Sequence, residues 1–93
     1  MMKVDEVYTS VILSKNRELT NELNYLANLK KNLPDTLKDT LFEQELQRVL
    51  DNSIALARSK IAIPLLGIEK AGELDTEEAV VNFIHGLTCN QMF

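Results

Sequence analysis

Ninety-three residues, 45% hydrophobic and 26% charged, describe one ordinary globular domain with room for a modest core and none for a separate cofactor-binding lobe. The formal net charge of −4 sets the field of the whole molecule against nucleic acid, whose phosphates select clustered Lys and Arg. Three Gly and two Pro are too few for the turns of a sandwich or barrel, so helices joined by short loops are expected.

From Val4 to Leu33 apolar residues recur at Val4, Val7, Tyr8, Val11, Ile12, Leu19, Leu23, Leu26, Leu29 and Leu33. That three-and-four spacing gathers side chains on one helical face and predicts a long first helix over about 4–32, or two collinear ones. Ser14-Lys15-Asn16 interrupts the stripe, because Lys15 falls near its middle and Ser and Asn compete for backbone hydrogen bonds. Glu22 falls on the same stripe one heptad later. Two readings stay open: a kink, or a helix that outruns its neighbours and leaves part of its face wet. Lys30, Lys31 and Lys38 near the first connection read as a solvated helix end, with cations at the negative end of the dipole.

Pro34 ends this helix, since it forces Leu33 out of the α region and cannot donate to the backbone ladder. Residues 34–39 then form a turn or a single helical turn. Thr40-Leu41-Phe42-Glu43 is a capping box, in which the Thr hydroxyl accepts from the Glu43 N–H and the Glu carboxylate reaches back to the Thr40 N–H. A second helix is predicted over about 41–60, with Phe42, Leu46, Val49, Ser53, Leu56, Ala57 and Lys60 on one face.

Ile61-Ala62-Ile63 is expected to be the last turn of that helix or an extended joint. Pro64 suits the first position of a new helix and Gly72 the residue just past its end, which predicts a short third helix over 64–71. The alternative for IAIPLLGI is a buried strand, which would have no partner elsewhere in the chain. Asp75-Thr76-Glu77-Glu78 is a second capping box with Asp75 as the cap, opening a fourth helix over 76–88. Val80, Phe83, Ile84 and Leu87 form its expected buried face, and Gly86 weakens its interior. The whole is read as all-α, an antiparallel four-helix bundle with a long first helix and shorter third and fourth helices.

Candidate chemistry is thin. His85 and Cys89, four residues apart, could meet on one helical surface, but nothing supplies an orienting group or an oxyanion site. Acidic neighbours such as Asp5-Glu6 and Glu77-Glu78 point in different directions on a helix, and no Glu-x-x-His motif accompanies them. There is no Gly-rich phosphate loop, no Ser-centred nucleophile elbow and no Cys-x-x-Cys. No enzyme activity, metal or cofactor is expected. Tyr8 and Tyr25 read as packing residues with wet hydroxyls. Met92 and Phe93 place apolar side chains after the polar Asn90-Gln91, a tail that either folds back or meets a partner.

The lone Cys89 cannot form an intramolecular disulfide, and Met1-Met2-Lys3-Val4-Asp5-Glu6 is charged too early for a secretory signal. The longest uncharged apolar run, Ile61 to Ile68, falls far short of the roughly 20 residues that cross a bilayer. A cytoplasmic protein without a transmembrane segment is expected.

Glu45-Leu46-Gln47-Arg48-Val49-Leu50-Asp51-Asn52, followed by Ile63-Pro64-Leu65-Leu66, resembles the immunity proteins that protect producers of pediocin-like (class IIa) bacteriocins. In that family a helix of the form S/E-L-x-x-V-L-E-x runs through a small-residue joint to a Val-Pro-Leu or similar triplet that opens the next helix. Leu87-Thr88 with Asn90 is a further echo, and the likeness covers about half the chain, mainly Glu43 to Leu66. The resemblance implies a cytosolic four-helix bundle of a Gram-positive bacterium that binds free bacteriocin weakly. It further implies recognition of the bacteriocin-occupied receptor, the mannose phosphotransferase permease, from the inner face of the membrane. Because the C-terminal part sets specificity in that family, the resemblance points to Leu87, Thr88, Asn90, Met92 and Phe93 as partner-binding residues. The other reading of the chain is a small helical adaptor that dimerises through its first helix.

Overall fold

A computed structural model describes residues 4–90, and side chains for residues 7–88. The fold is all-α, with no strand among the described residues. The alternative of a buried strand at IAIPLLGI is thereby set aside.

The predicted first helix is two helices, α1 (Val4–Lys15) and α2 (Arg17–Lys31), separated at Asn16. Asn16 leaves helical geometry (φ −115°, ψ 26°), and its side-chain amide donates back to the Ile12 carbonyl at 2.8 Å. That bond is the local competition that makes Asn a poor residue inside a helix. After α2, Asp35–Leu37 form a single 3-10 turn, as the Pro34 segment predicts.

The helix α3 (Leu41–Ala57) opens on Thr40, whose Oγ1 accepts from the Glu43 N–H at 3.4 Å. The reciprocal half of the box differs from expectation, because Glu43 Oε1 accepts from the Asp39 N–H at 3.0 Å instead of from Thr40. Asp39 adopts φ 59°, a left-handed conformation that Asp tolerates better than most residues.

Pro64 stands in the first turn of a new helix, as expected, but no loop precedes that helix. The chain passes from α3 through a π turn, Arg58–Ala62, straight into α4 (Ile63–Leu66), and Ile63 donates to the Arg58 carbonyl five residues back. Proline has no N–H for the i−4 carbonyl and its ring crowds that carbonyl; the wider turn just before it accommodates both. The break comes at Gly67 instead, where φ 89° and ψ 161° lie in a region open almost only to glycine. The predicted third helix is therefore two pieces, α4 and α5 (Ile68–Gly72), and Gly72 ends α5 from inside it. The last helix, α6 (Glu77–Asn90), is capped by Thr76, not Asp75: Thr76 Oγ1 accepts from the Ala79 N–H at 3.0 Å.

The helices α2, α3 and α6 pack pairwise. Ser53 reaches Glu22, while Gln47 and Lys30 converge on Glu77, so α3 runs antiparallel to α2. The core is built from Leu13, Leu23, Leu26 and Leu33, from Leu46, Leu50, Ile54, Ala57 and Ile61, and from Val80 and Ile84. Phe83 and Leu87 pack partly against it, as the fourth-helix pattern predicts. Along α3 and the π turn the buried face is only partly as expected: Leu46, Ser53 and Ala57 are buried as predicted, Leu50, Ile54 and Ile61 join them, and Phe42, Leu56 and Lys60 are exposed. A helix gripped by two neighbours has its stripe set by both, which single-helix periodicity does not capture.

The radius of gyration, 14.4 Å, exceeds the roughly 12 Å of a compact chain this long, so the molecule is elongated. Its α1 touches only α2 and the π turn among the described contacts of any extent.

Candidate functional site

Glu77, in the first turn of α6, joins three helices. Its Oε2 accepts from Lys30 Nζ of α2 at 2.7 Å, and its Oε1 accepts from Gln47 Nε2 of α3 at 2.7 Å. Gln47 also donates to Asp51 Oδ1 at 2.8 Å. The Lys30 and Glu77 side chains retain 37% and 32% of their exposure, so water screens the pair and its role is positional. The sequence offers no local signal for this hub, whose partners stand 47 and 30 residues away.

Beside the hub, α2 and α6 enclose an open groove of about 660 Å³ lined by residues of these two helices alone. Its lining includes Ala27, Val81, Asn24, Asn28, Asn82 and His85. A second groove, about 590 Å³, lies where the α1–α2 break faces the π turn. Lys15, Arg17 and Lys60 share it with Glu18 and Glu22, a mixture of signs that does not select an ion of either charge.

The face of α1 follows expectation only in part, with Ile12 packed partly against the core. Val7, Tyr8 and Val11 are 47%, 46% and 46% exposed, whereas Leu13, off the predicted stripe, is 9% exposed and joins the core. Tyr25 on α2 is also exposed.

The resemblance-bearing run on α3 divides cleanly by role. Leu46 and Leu50 are buried, Val49 packs partly against them, and Gln47 serves the hub. Glu45 and Arg48 form an ion pair in full solvent. Its hydrogen bond to Arg48 holds the Glu45 carboxyl below the usual range, and the same bond raises the Arg48 guanidinium. The run opens next to the hub, and its buried leucines account for its spacing.

Of the residues that the resemblance points to, Leu87 packs partly against the core, and the Thr88 hydroxyl donates to the His85 carbonyl at 3.0 Å. Asn90 is the last residue of α6; its side chain and that of Cys89, with Met92 and Phe93, lie outside the described residues. The part of α6 that faces out carries Glu78, Val81, Asn82 and His85 instead. The sequence already contained that stripe, at i, i+3, i+4 and i+7 opposite the buried one, but its mixed character gave no reason to single it out.

Among the described residues no group of three or more His, Cys, Asp or Glu stands close enough to hold a metal ion. No helix among them is long and apolar enough to cross a membrane. Arg58 donates to the Leu74 carbonyl, tying the π turn to the segment before α6. Comparison with protein-family models, with curated proteins and with solved structures finds no match to this chain.

Proposed function

We propose that this chain is a bacteriocin immunity protein that works by protein–protein contact and not by catalysis. The observation that carries the reading is the Glu45–Asn52 run with Ile63–Leu66, the pattern that resembles the pediocin-like immunity family. The all-helical fold agrees with that family's architecture. In this reading the protein stands in the cytoplasm at the inner face of the membrane and recognises a bacteriocin-occupied permease of the mannose phosphotransferase type. No metal, cofactor or nucleic acid takes part.

Expression of the chain in a strain sensitive to pediocin-like peptides, followed by challenge with a panel of them, tests the reading. Protection against at least one peptide is the expected outcome, and sensitivity to every member of the panel counts against it.

One observation favours a second reading, a helical adaptor that dimerises. The exposed Val7, Tyr8 and Val11 of α1 are a small apolar face of the kind that marks contact sites. The α2 half of the original stripe is already used, with Leu23, Leu26 and Leu33 buried in the core. Sedimentation of the purified protein separates the readings: a dimer abolished by Val11→Glu supports the adaptor, and a monomer removes it.

A further inference from the structure

The helices α1 and α2 meet at a single residue, Asn16, with no loop between them. The Asn16 N–H reaches the Ile12 and Leu13 carbonyls at 3.2 Å each, and the Asn16 carbonyl accepts from the Thr20 N–H at 2.9 Å. Its φ and ψ depart from helical values in opposite directions, so the rotational phase of the helix is largely carried through the break. Its side chain, committed to the Ile12 carbonyl, forms no cap on α2 and leaves the first turn of that helix unbraced. A junction of this kind absorbs a change of helix direction at one residue's φ and ψ.

On the phase that the two helices share, Tyr8, Val11, Lys15, Glu18 and Glu22 recur at intervals of three and four and form one face. Lys15, Glu18 and Glu22 of that face line the groove of about 590 Å³, together with Leu56 of α3 and Lys60 of the π turn. Val11 and Tyr8 stand one and two turns further along, outside the lining, and both are exposed, as is Leu56 within it. The charges of the lining, Lys15, Arg17 and Lys60 with Glu18 and Glu22, come within one of balance, so narrowing the groove sets opposite signs together.

We propose that α1 is a strap hinged at Asn16 that closes over this groove and lays its Tyr8–Val11 face on Leu56. The described position is the open one. It is held by Leu13, the one buried apolar side chain of α1 among the described residues, and by the Asn16 bond to Ile12. Closure is driven by removing Tyr8, Val11 and Leu56 from water. One buried leucine and one side-chain bond are thus set against three exposed apolar side chains, a balance that populates both positions. The strap does not depend on the immunity reading, since the groove and the hinge belong to this chain alone.

Disulfide trapping in the full chain tests it. Cys89→Ser removes the native thiol, and Val11→Cys with Leu56→Cys places one thiol on the strap and one in the groove. Tyr8→Cys with Leu56→Cys is a second pair, and Val11→Cys with Phe42→Cys, at the other end of α3, is the control. All four positions are exposed, so the thermal transition of each version stays near that of the wild type. A disulfide requires Cα atoms within about 7 Å, so a bond from the strap to position 56 records the closed position. In a glutathione redox buffer, at least one of the two strap pairs is expected to close within the chain about tenfold faster than the control. Asn16→Ala extends the helix through the hinge and is expected to slow that closure about tenfold. The proposal falls if neither pair outpaces the control, if the bond joins two copies of the chain, or if Asn16→Ala leaves the rate unchanged.

Discussion

The helices α1 and α2 come from one stretch of regular apolar periodicity and have opposite fates. Along α2 the stripe is buried, with Leu23 and Leu26 in the core, while along α1 Val7, Tyr8 and Val11 face water and Leu13 turns inward. Spacing decides which residues share a face; it does not decide whether anything stands opposite that face. The α2 stripe has α3 and α6 to pack against, whereas the more extensive contacts of α1 among the described residues are with α2 and the π turn. Burial in this molecule therefore follows neighbours, and the stability attached to equivalent side chains should follow them too.

The largest expected effect lies in the body. Leu50 is fully buried on α3, and Leu50→Ala leaves a cavity that the surrounding helices fill only in part. A loss of about 2–5 kcal/mol follows, against a total of about 5–14 kcal/mol for a chain of this size. Urea unfolding followed by circular dichroism measures it. A loss below about 1 kcal/mol would mean that the three-helix body is not the centre of stability.

Next comes the joint that carries the chain out of α4. An added Cβ at Gly67 meets no atom within 4 Å, so Gly67→Ala acts through backbone strain at φ 89° and not through a clash. A cost of about 1–3 kcal/mol is expected by the same measurement. Gly72→Ala, with equally open surroundings and no positive φ, serves as its control and should be neutral or slightly stabilising.

The elements that were legible from sequence are those fixed by local chemistry. The Thr40 cap, the turn after Pro34 and the Val80–Leu87 face depend on residues within a turn or two of one another. The departures have causes at longer range or in competing local bonds. Asn16 settles the open choice between one first helix and two through its bond to Ile12, a π turn joins α3 to the Pro64 helix with no loop between them, and Thr76 displaces Asp75 as the cap. The groove walls were present in the sequence as stripes opposite the core faces. Their meeting depends on α2 and α6 packing together, which no spacing along the chain encodes.

A smaller effect sharpens how the body is held. Glu77→Gln keeps shape and most hydrogen-bonding capacity but removes the charge that Lys30 meets at 2.7 Å. With both side chains about a third exposed, the expected loss is only about 0.5–1 kcal/mol, diminishing as salt is added. In a double-mutant cycle with Lys30→Met, a coupling near zero would assign the hub's effect to Gln47 alone.

The smallest expected effect completes the contrast between the two halves of the stripe. Val11 is 46% exposed, so Val11→Ala removes two methyl groups that water already touches, and stability should change by less than about 0.5 kcal/mol. Substitution alone leaves open whether α1 moves as a unit with the body, and amide exchange answers that. With few described contacts beyond α2 and the π turn, α1 should open locally at a free energy below that of global unfolding. Its amides should therefore exchange ahead of those around Leu23 and Leu26 in the purified protein. Equal protection along both helices at high protein concentration, falling to unequal protection on dilution, would show that the outward face of α1 is covered by another copy. Equal protection at every concentration would overturn the contrast, because it would mean that α1 is held by the body as firmly as α2.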